Sequence, residues 1–249
     1  MRHFGLIGYP LSHSFSEGYF KDKFQREHVV DVQYANYPIA NINEFASLWY
    51  MDEKMEGLNV TIPYKKEVIP FLQFPSSVVK SIKACNCIRK FNGALYGYNT
   101  DVIGFENSLL PFLKPHHTHA LLLGTGGASA AVEWVLQKLN ISYQVVSRTS
   151  SVNKLTYEQV TPEMLAIHTL IINTSPVGMY PNVQDAPVLP YEAMGMHHHL
   201  YDLVYNPNET LFLKKGAAQG ATIQNGLAML HIQAEKSWEI WNAPTPIEQ

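Results

Sequence analysis

The polar and apolar positions of this chain switch repeatedly between two periods, short apolar runs or alternation on one side and helical spacing on the other. Residues 4–7 are a short apolar run that reads as a buried strand. Residues 17–27 place Tyr19, Phe20 and Phe24 at helical spacing. Residues 32–37 alternate and stop at Pro38, as a strand does. A helix is expected from a cap at Asn43 to about Met51, enclosing Phe45, Leu48 and Trp49. Residues 58–62 read as a strand stopped by Pro63. Residues 85–91 and 94–98 flank Asn92-Gly93, which suits a type I′ turn, so this stretch predicts a β-hairpin.

From Asp101 the signal changes. An apolar strand at 120–123 runs straight into Gly124, Gly126 and Gly127. A helix over 128–139 follows, then strands at 142–146, 169–173 and 201–204, a helix over 209–219, a short strand at 222–223 and a long helix over 226–241. Strands alternating with helices imply a parallel sheet with helices on both faces. The expected fold class is α/β in two domains, 1–101 and 102–226, the second a Rossmann-like doubly wound parallel sheet. Periodicity alone does not assign the terminal helix to either.

Composition narrows the function. Hydrophobic residues make up 46% of the 249, enough for a real core, and charged residues only 16%, against a usual ~25%. A largely disordered chain is excluded. A net charge of −3 recruits no polyanion, so no nucleic-acid partner is expected. The longest apolar runs, such as 120–123 and 170–172, fall far short of the ~18 residues of a membrane span, and the opening MRHFGLIGYPLSHS is a poor secretory signal. Two cysteines and no such signal point to a reducing, cytoplasmic setting. No metal is expected: a zinc site would need two ligands besides Cys85 and Cys87, and none is evident. His116, His117, His119 and His197 to His199 read as solvated loop residues, and Trp134, Trp238 and Trp241 as packing residues.

Two sets of residues carry chemistry. In the first, Gly124 allows a tight turn after a buried strand and Gly126 lets the backbone approach a pyrophosphate. Small Ala128, Ser129, Ala130 and Ala131 let the next helix lie close to the sheet, although Ser129 stands where the third glycine usually does. A site for NAD usually carries an acid about 20 residues on, at the end of the next strand. Here that strand ends in Ser147-Arg148-Thr149. Arg148 can pair with a 2′-phosphate and Thr149 can donate to it, so NADP is the expected cofactor. The second set is polar and lies at strand ends: Ser12 to Ser16, Asn59 to Lys65, Asn86, and Asn99-Thr100-Asp101. Hydroxyls, amides, one Lys and one Asp suit a small, polyhydroxylated, anionic molecule.

With Gly8-Tyr9-Pro10-Leu11-Ser12-His13-Ser14-Phe15-Ser16, Asn59-Val60-Thr61-Ile62-Pro63-Tyr64-Lys65, Gly97-Tyr98-Asn99-Thr100-Asp101, Gly124-Thr125-Gly126-Gly127-Ala128, Asn173-Thr174-Ser175-Pro176-Val177-Gly178-Met179, Asp202-Leu203-Val204-Tyr205 and Gly226 to Gln233, the chain resembles the shikimate dehydrogenase family from end to end. The resemblance implies NADPH-dependent reduction of 3-dehydroshikimate to shikimate, a step of aromatic amino acid biosynthesis. It implies an N-terminal substrate domain completed by the terminal helix, 227–249, an NADP domain over 102–226, and an active site in the cleft between them. Ser14 and Ser16 would bind the substrate carboxylate with Tyr205 nearby, and Thr61, Asn86 and Gln233 the ring hydroxyls. Gly124, Gly126, Gly127, Ala128, Ser147, Arg148, Thr149, Val204 and Gly226 would contact the cofactor. Lys65 and Asp101 would be the catalytic pair, Lys65 donating a proton to the developing alkoxide and Asp101 holding the ammonium.

Three departures stand out. Ser16-Glu17 replaces a frequent Ser-Pro, and Ser147 replaces the Asn of an Asn-Arg-Thr clamp, leaving Arg148 with Lys154 as a helper. Cys87 follows Asn86 where Thr or Val is more usual. Three other readings stay open: a quinate/shikimate dehydrogenase using NAD, a non-catalytic nucleotide- or shikimate-binding relative, and another two-domain dehydrogenase such as a methylenetetrahydrofolate enzyme. A monomer or homodimer with only small-molecule partners is expected.

Overall fold

In chain order the computed structural model forms β1 (Arg2–Gly8), α1 (Phe15–Arg26), β2 (Val32–Pro38), α2 (Phe45–Met51), β3 (Met55–Val60), β4 (Phe74–Pro75), α3 (Ser77–Ile82), β5 (Cys87–Phe91), β6 (Ala94–Tyr98) and α4 (Thr100–Leu109). Then come β7 (His119–Leu123), α5 (Ser129–Lys138), β8 (Ser142–Val146), β9 (Lys154–Leu155), α6 (Pro162–Ile167), β10 (Leu170–Asn173), β11 (His199–Asp202), α7 (Leu211–Ala218), β12 (Thr222–Asn225) and α8 (Leu227–Asn242). The structure describes residues 1–11, 14–149 and 151–249, so Ser12 and His13 of the first polar cluster, and Ser150, lie outside the described residues. The chain divides into two units, Met1–Thr100 with Gln233–Gln249, and Asp101–Ile232.

The first unit holds a mixed sheet in the order β2-β1-β3-β5-β6-β4. β1 runs parallel to β2 and β3, while β5 runs antiparallel to β3 and β6. The β5–β6 hairpin turns at Asn92 (φ 49°) and Gly93 (φ 79°), both left-handed as a type I′ turn requires. Alternation along β1 sends Phe4 and Leu6 to the side of Phe20 and Phe24 of α1, and Ile7 to the side of Phe45 of α2. The end of α8 completes the first of these layers. Trp241 stacks on Phe4 at 4.9 Å and donates its indole N–H to the Ile88 carbonyl at 2.9 Å. A Cβ on Gly57 of β3 would lie 2.4 Å from that indole nitrogen, so only glycine admits the ring.

Two local readings are corrected. The cap before α2 is Asn41, not Asn43: the Asn41 side chain accepts from the Asn43 N–H at 2.9 Å, and Glu44 reaches back to the Asn41 N–H at 3.0 Å. The first hairpin strand starts at Cys87 rather than 85, because the Cys85 N–H is already donated to the Lys65 carbonyl at 2.7 Å.

The second unit holds an all-parallel sheet, β12-β11-β10-β7-β8-β9. Numbered from β7 in chain order, that is the doubly wound order 3-2-1-4-5-6, which reverses direction between β7 and β10. Ala120 to Leu123 are all fully buried, as a strand covered on both faces must be. Leu121, Leu123, Ile171 and Leu200 pack against Leu165 of α6 and Phe212 and Leu213 of α7. On the opposite face Tyr201 meets α4, its ring 5.2 Å from Phe105 and its hydroxyl 2.6 Å from that of Ser108. The helices therefore cover both faces. Among the described residues, no helix is long and apolar enough to cross a membrane.

Three of the six histidines depart from the solvated reading, whereas His116 and His197 are exposed. His117, His198 and His199 are buried. The His117 Nδ1 accepts from the Lys114 N–H at 3.0 Å, so its Nε2 donates to the His197 carbonyl at 3.3 Å. Burial pushes the His199 pKa down to about 4, which keeps the ring neutral. Among the described residues, no group of three or more His, Cys, Asp or Glu is arranged to hold a metal ion.

Candidate active site

The glycine turn follows β7 at the point where the strand order reverses, outside the strands' carboxyl ends, where open α/β sheets bind their ligands. Gly124 adopts φ +103°, a region closed to ordinary side chains, and donates its N–H to the Val146 carbonyl at 2.8 Å. A Cβ there would also come within 3.1 Å of Ser175. Beyond the turn, Ala128 occupies the cap position of α5 without a side-chain bond, so no side chain competes for the first-turn N–H groups. Ser129, in place of the third glycine, is buried and donates to Glu133 at 2.8 Å.

Above these ends lies a cavity of about 470 Å³. Gly124, Thr125 and Gly126 form one wall, Ser147, Arg148 and Tyr157 a second, and Ser175, Pro176, Val177, Pro187 and Val188 the rest. Among the described residues, no carboxylate lines it. Backbone donors, hydroxyls, one guanidinium and apolar walls fit a dinucleotide carrying an extra phosphate. Arg148 is exposed and close enough to Tyr157 to oppose the upward push that burial gives its phenol.

The loops around the cavity rest on a buried polar network. Asp202, fully buried, accepts from Asn173 at 2.9 Å, from the Val204 N–H at 3.0 Å and from the Thr210 hydroxyl at 2.6 Å. These bonds oppose a burial penalty that still raises its pKa to about 6. Gly226 packs so tightly on the Leu203 carbonyl that a Cβ would lie 2.1 Å from it.

The first unit gathers a polar cluster of a different kind. Asn59, buried, accepts from the Tyr34 hydroxyl at 2.9 Å and donates to Ser237 of α8 at 2.9 Å. Asn86, buried, accepts from the Thr100 N–H at 2.6 Å and donates to the Thr100 hydroxyl at 3.0 Å, which in turn donates to Gln233 at 3.4 Å. Thr61 lies directly after β3, its N–H donated to the Ile7 carbonyl at 2.9 Å, and Gly8 leaves room for its methyl. Ser14 precedes α1 with a buried hydroxyl that has no hydrogen-bond partner among the described residues, and Ser16 lies within reach of the Tyr34 hydroxyl.

Of the expected cofactor residues, Gly124, Gly126, Ser147 and Arg148 line the cavity. Gly127, Ala128, Thr149, Val204 and Gly226 lie outside its lining, as does Lys154 in β9. Ser14, Ser16, Thr61, Lys65, Asn86 and Gln233 belong to the first unit, and Tyr205 and the buried Asp101 to the second. Asp101 sits in the first turn of α4, a helix the sequence reading omitted. Tyr157, Pro187 and Val188 were also missed, since irregular segments carry no periodic signal. Ser175 to Val177 had one: they follow a strand that ends beside the glycine turn.

A family model described as the shikimate dehydrogenase substrate binding domain matches residues 6–88. A shikimate dehydrogenase (NADP(+)) of Caldicellulosiruptor bescii is 33% identical over 97% of this chain and 89% of its own. The chain belongs to the shikimate dehydrogenase family. Another shikimate dehydrogenase (NADP(+)), from Caldanaerobacter subterraneus, is 34% identical over 96% of this chain and 90% of its own. The crystal structure of the Thermus thermophilus shikimate 5-dehydrogenase with NADP(H) and shikimate superposes with a TM-score of 0.85, at 27% identity, over 99% of this chain and 95% of that one. The family resemblance and the two-sheet α/β fold class read from the sequence are borne out. In this family member the matched stretch contains Ser14, Ser16, Thr61, Lys65 and Asn86.

Proposed function

We propose that this protein is an NADP-dependent shikimate dehydrogenase, catalysing the reversible reduction of 3-dehydroshikimate to shikimate. The observation that carries this reading is the cavity in which the Gly124 turn and Arg148 meet with no carboxylate among the described residues, in a chain related to shikimate dehydrogenases along 97% of its length. The second unit is the NADP domain and the first, with the end of α8, the substrate domain.

Bound NADPH supplies a hydride to the carbonyl carbon of the substrate. Arg148 pairs with the 2′-phosphate and Thr149 assists, while Gly127, Ala128, Val204 and Gly226 shape the backbone around the nucleotide. Ser14 and Ser16 bind the substrate carboxylate, with Tyr205 nearby. The Ser14 hydroxyl, unpartnered among the described residues, supports this, because a buried donor with no acceptor costs about 1–3 kcal/mol and a ligand removes that cost. Thr61, Asn86 and Gln233 bind ring hydroxyls. As the carbonyl oxygen gains negative charge, the Lys65 ammonium stabilises it and transfers a proton to it. Asp101 holds that ammonium in place. We assign the enzyme to the cytoplasm, as a monomer or homodimer, with no nucleic-acid partner.

The test follows NADPH absorbance with shikimate and NADP⁺, with NAD⁺ as control. Shikimate-dependent NADPH formation that outpaces NADH formation is the expected result. Nucleotide binding without turnover would instead identify a ligand-binding relative.

A further inference from the structure

We propose that Asp202 is the positioning residue of the NADP cavity, tying the loops after β10 and β11 and the start of α7 into one fixed frame. The proposal rests on the NADP reading of that cavity. Asp202 is not itself a lining residue of the cavity. It acts through its neighbours.

Its Oδ1 accepts from Asn173 Nδ2 at 2.9 Å and from the Val204 N–H at 3.0 Å, and its Oδ2 accepts from the Thr210 hydroxyl at 2.6 Å. Asn173 relays the constraint, because its Oδ1 accepts from both the Ser175 N–H at 3.1 Å and the Ser175 hydroxyl at 2.6 Å. Ser175 is the residue packed over Gly124, only 3.1 Å from where a Cβ would stand. The loop then returns over Thr210 at Gly178, whose φ is +88° and whose Cβ would lie 3.5 Å from Thr210 Cβ. One bond thus separates Asp202 from Val204, and two separate it from the wall facing the glycine turn.

The choice of a carboxylate is informative. Burying one is costly, and its compensation here comes from hydrogen bonds to Thr210, Val204 and Asn173. Three donors converge on two oxygens. An amide in the same place keeps one oxygen for Asn173 and Val204 but meets the Thr210 hydroxyl with an N–H, so the short bond to a charged oxygen is lost and the hydroxyl must reverse its role; the frame depends on the charge of Asp and not merely on a polar residue of that shape. Tyr191 is the titratable neighbour that faces it, and its own hydroxyl is donated to the Pro187 carbonyl at 2.8 Å.

The experiment compares Asp202→Asn, Thr210→Val and Thr210→Ser in the full-length protein, by NADPH titration and steady-state kinetics. Asp202→Asn and Thr210→Val should raise the NADPH Kd and KM by about tenfold or more, while kcat at saturating NADPH and KM for shikimate stay within about twofold. Thr210→Ser keeps the donor and should stay close to wild type. A purely structural role would instead lower the folded fraction, and so kcat, with KM for NADPH unmoved, and that result would overturn the proposal. If Asp202→Asn does not fold, the two Thr210 variants decide. If the wild type binds NADPH and both Thr210 variants bind it equally, the proposal fails alone. If the wild type binds no NADPH, the reading of the cavity fails and takes the proposal with it.

Discussion

In the first unit the buried amides near the strand ends, Asn59 and Asn86, are bonded to neighbouring side chains. Asn59 is engaged by Tyr34 and Ser237, and Asn86 by Thr100, all of them buried or nearly so. In the second unit the wall of the cavity is a backbone turn with hydroxyls and apolar side chains, and among the described residues its one charge is Arg148. The buried polar groups there stand a layer behind, at Asp202 and Asn173. A small, stiff, hydroxylated ligand is served by donors held at fixed positions. A long dinucleotide needs room, open N–H groups and one point of charge recognition. The first design therefore fails through single side chains, the second through backbone and shape.

The largest effect expected on this contrast is at Lys65. Lys65→Ala should lower kcat about 10²–10⁴-fold, the usual contribution of general acid catalysis, while KM for shikimate changes little. A variant with the kcat of the parent would remove the proton donor from the scheme.

Acid separates the halves next. His199 in the second unit is fully buried, with its pKa pushed down to about 4 from 6.5. The unfolded chain takes the proton first as pH falls, so the stability is present above pH 6.5 and is lost as pH drops toward about 4. The loss reaches about 3 kcal/mol relative to His199→Gln, read from denaturant unfolding of both proteins across that range. Parallel pH profiles for the two would show that His199 is not the acid-sensitive group.

Ser14 and Ser16 test the side-chain half. Each hydrogen bond to a charged group contributes about 1.5–3 kcal/mol, so replacing both by Ala should raise KM for shikimate about tenfold or more with KM for NADPH unchanged. The effect should shrink for an analogue with a neutral group in place of the carboxylate. Arg148 tests the other half and gives the smallest effect. Arg148→Ala should raise KM for NADPH about tenfold and leave KM for NADH nearly as it was, since NADH lacks the 2′-phosphate. Equal changes for both nucleotides would move the charge recognition elsewhere.

Local chemistry explains what was legible in the sequence. Asn92-Gly93 states its own turn because both residues tolerate positive φ. The solid run Ala120 to Leu123 followed by Gly124 states a buried strand and a left-handed turn, because no other residue adopts φ +103° there without strain. The family motifs were legible for the same reason, as short strings whose side chains act within a few residues of one another. Short elements such as β4, α3, α6 and β9 were not, since six residues or fewer hold too little of either period.

Tertiary structure decided matters that depend on distant partners. Nothing in the period of α8 says that its Trp241 fills the space over Gly57 and stacks on Phe4, which is what joins the end of that helix to the first unit. Nothing around Asp202 announces that Asn173 and Thr210 converge on it from 29 and 8 residues away. The strand order that sets the glycine turn beside Ser175 is likewise a product of packing. The sequence by itself determined the turns, the buried strands and the family motifs, because these follow from a residue's own backbone preferences and immediate neighbours. Which polar groups are mated, and which are left for a ligand, followed only from the fold, because burial makes a hydrogen bond obligatory and only the assembled chain says what is buried.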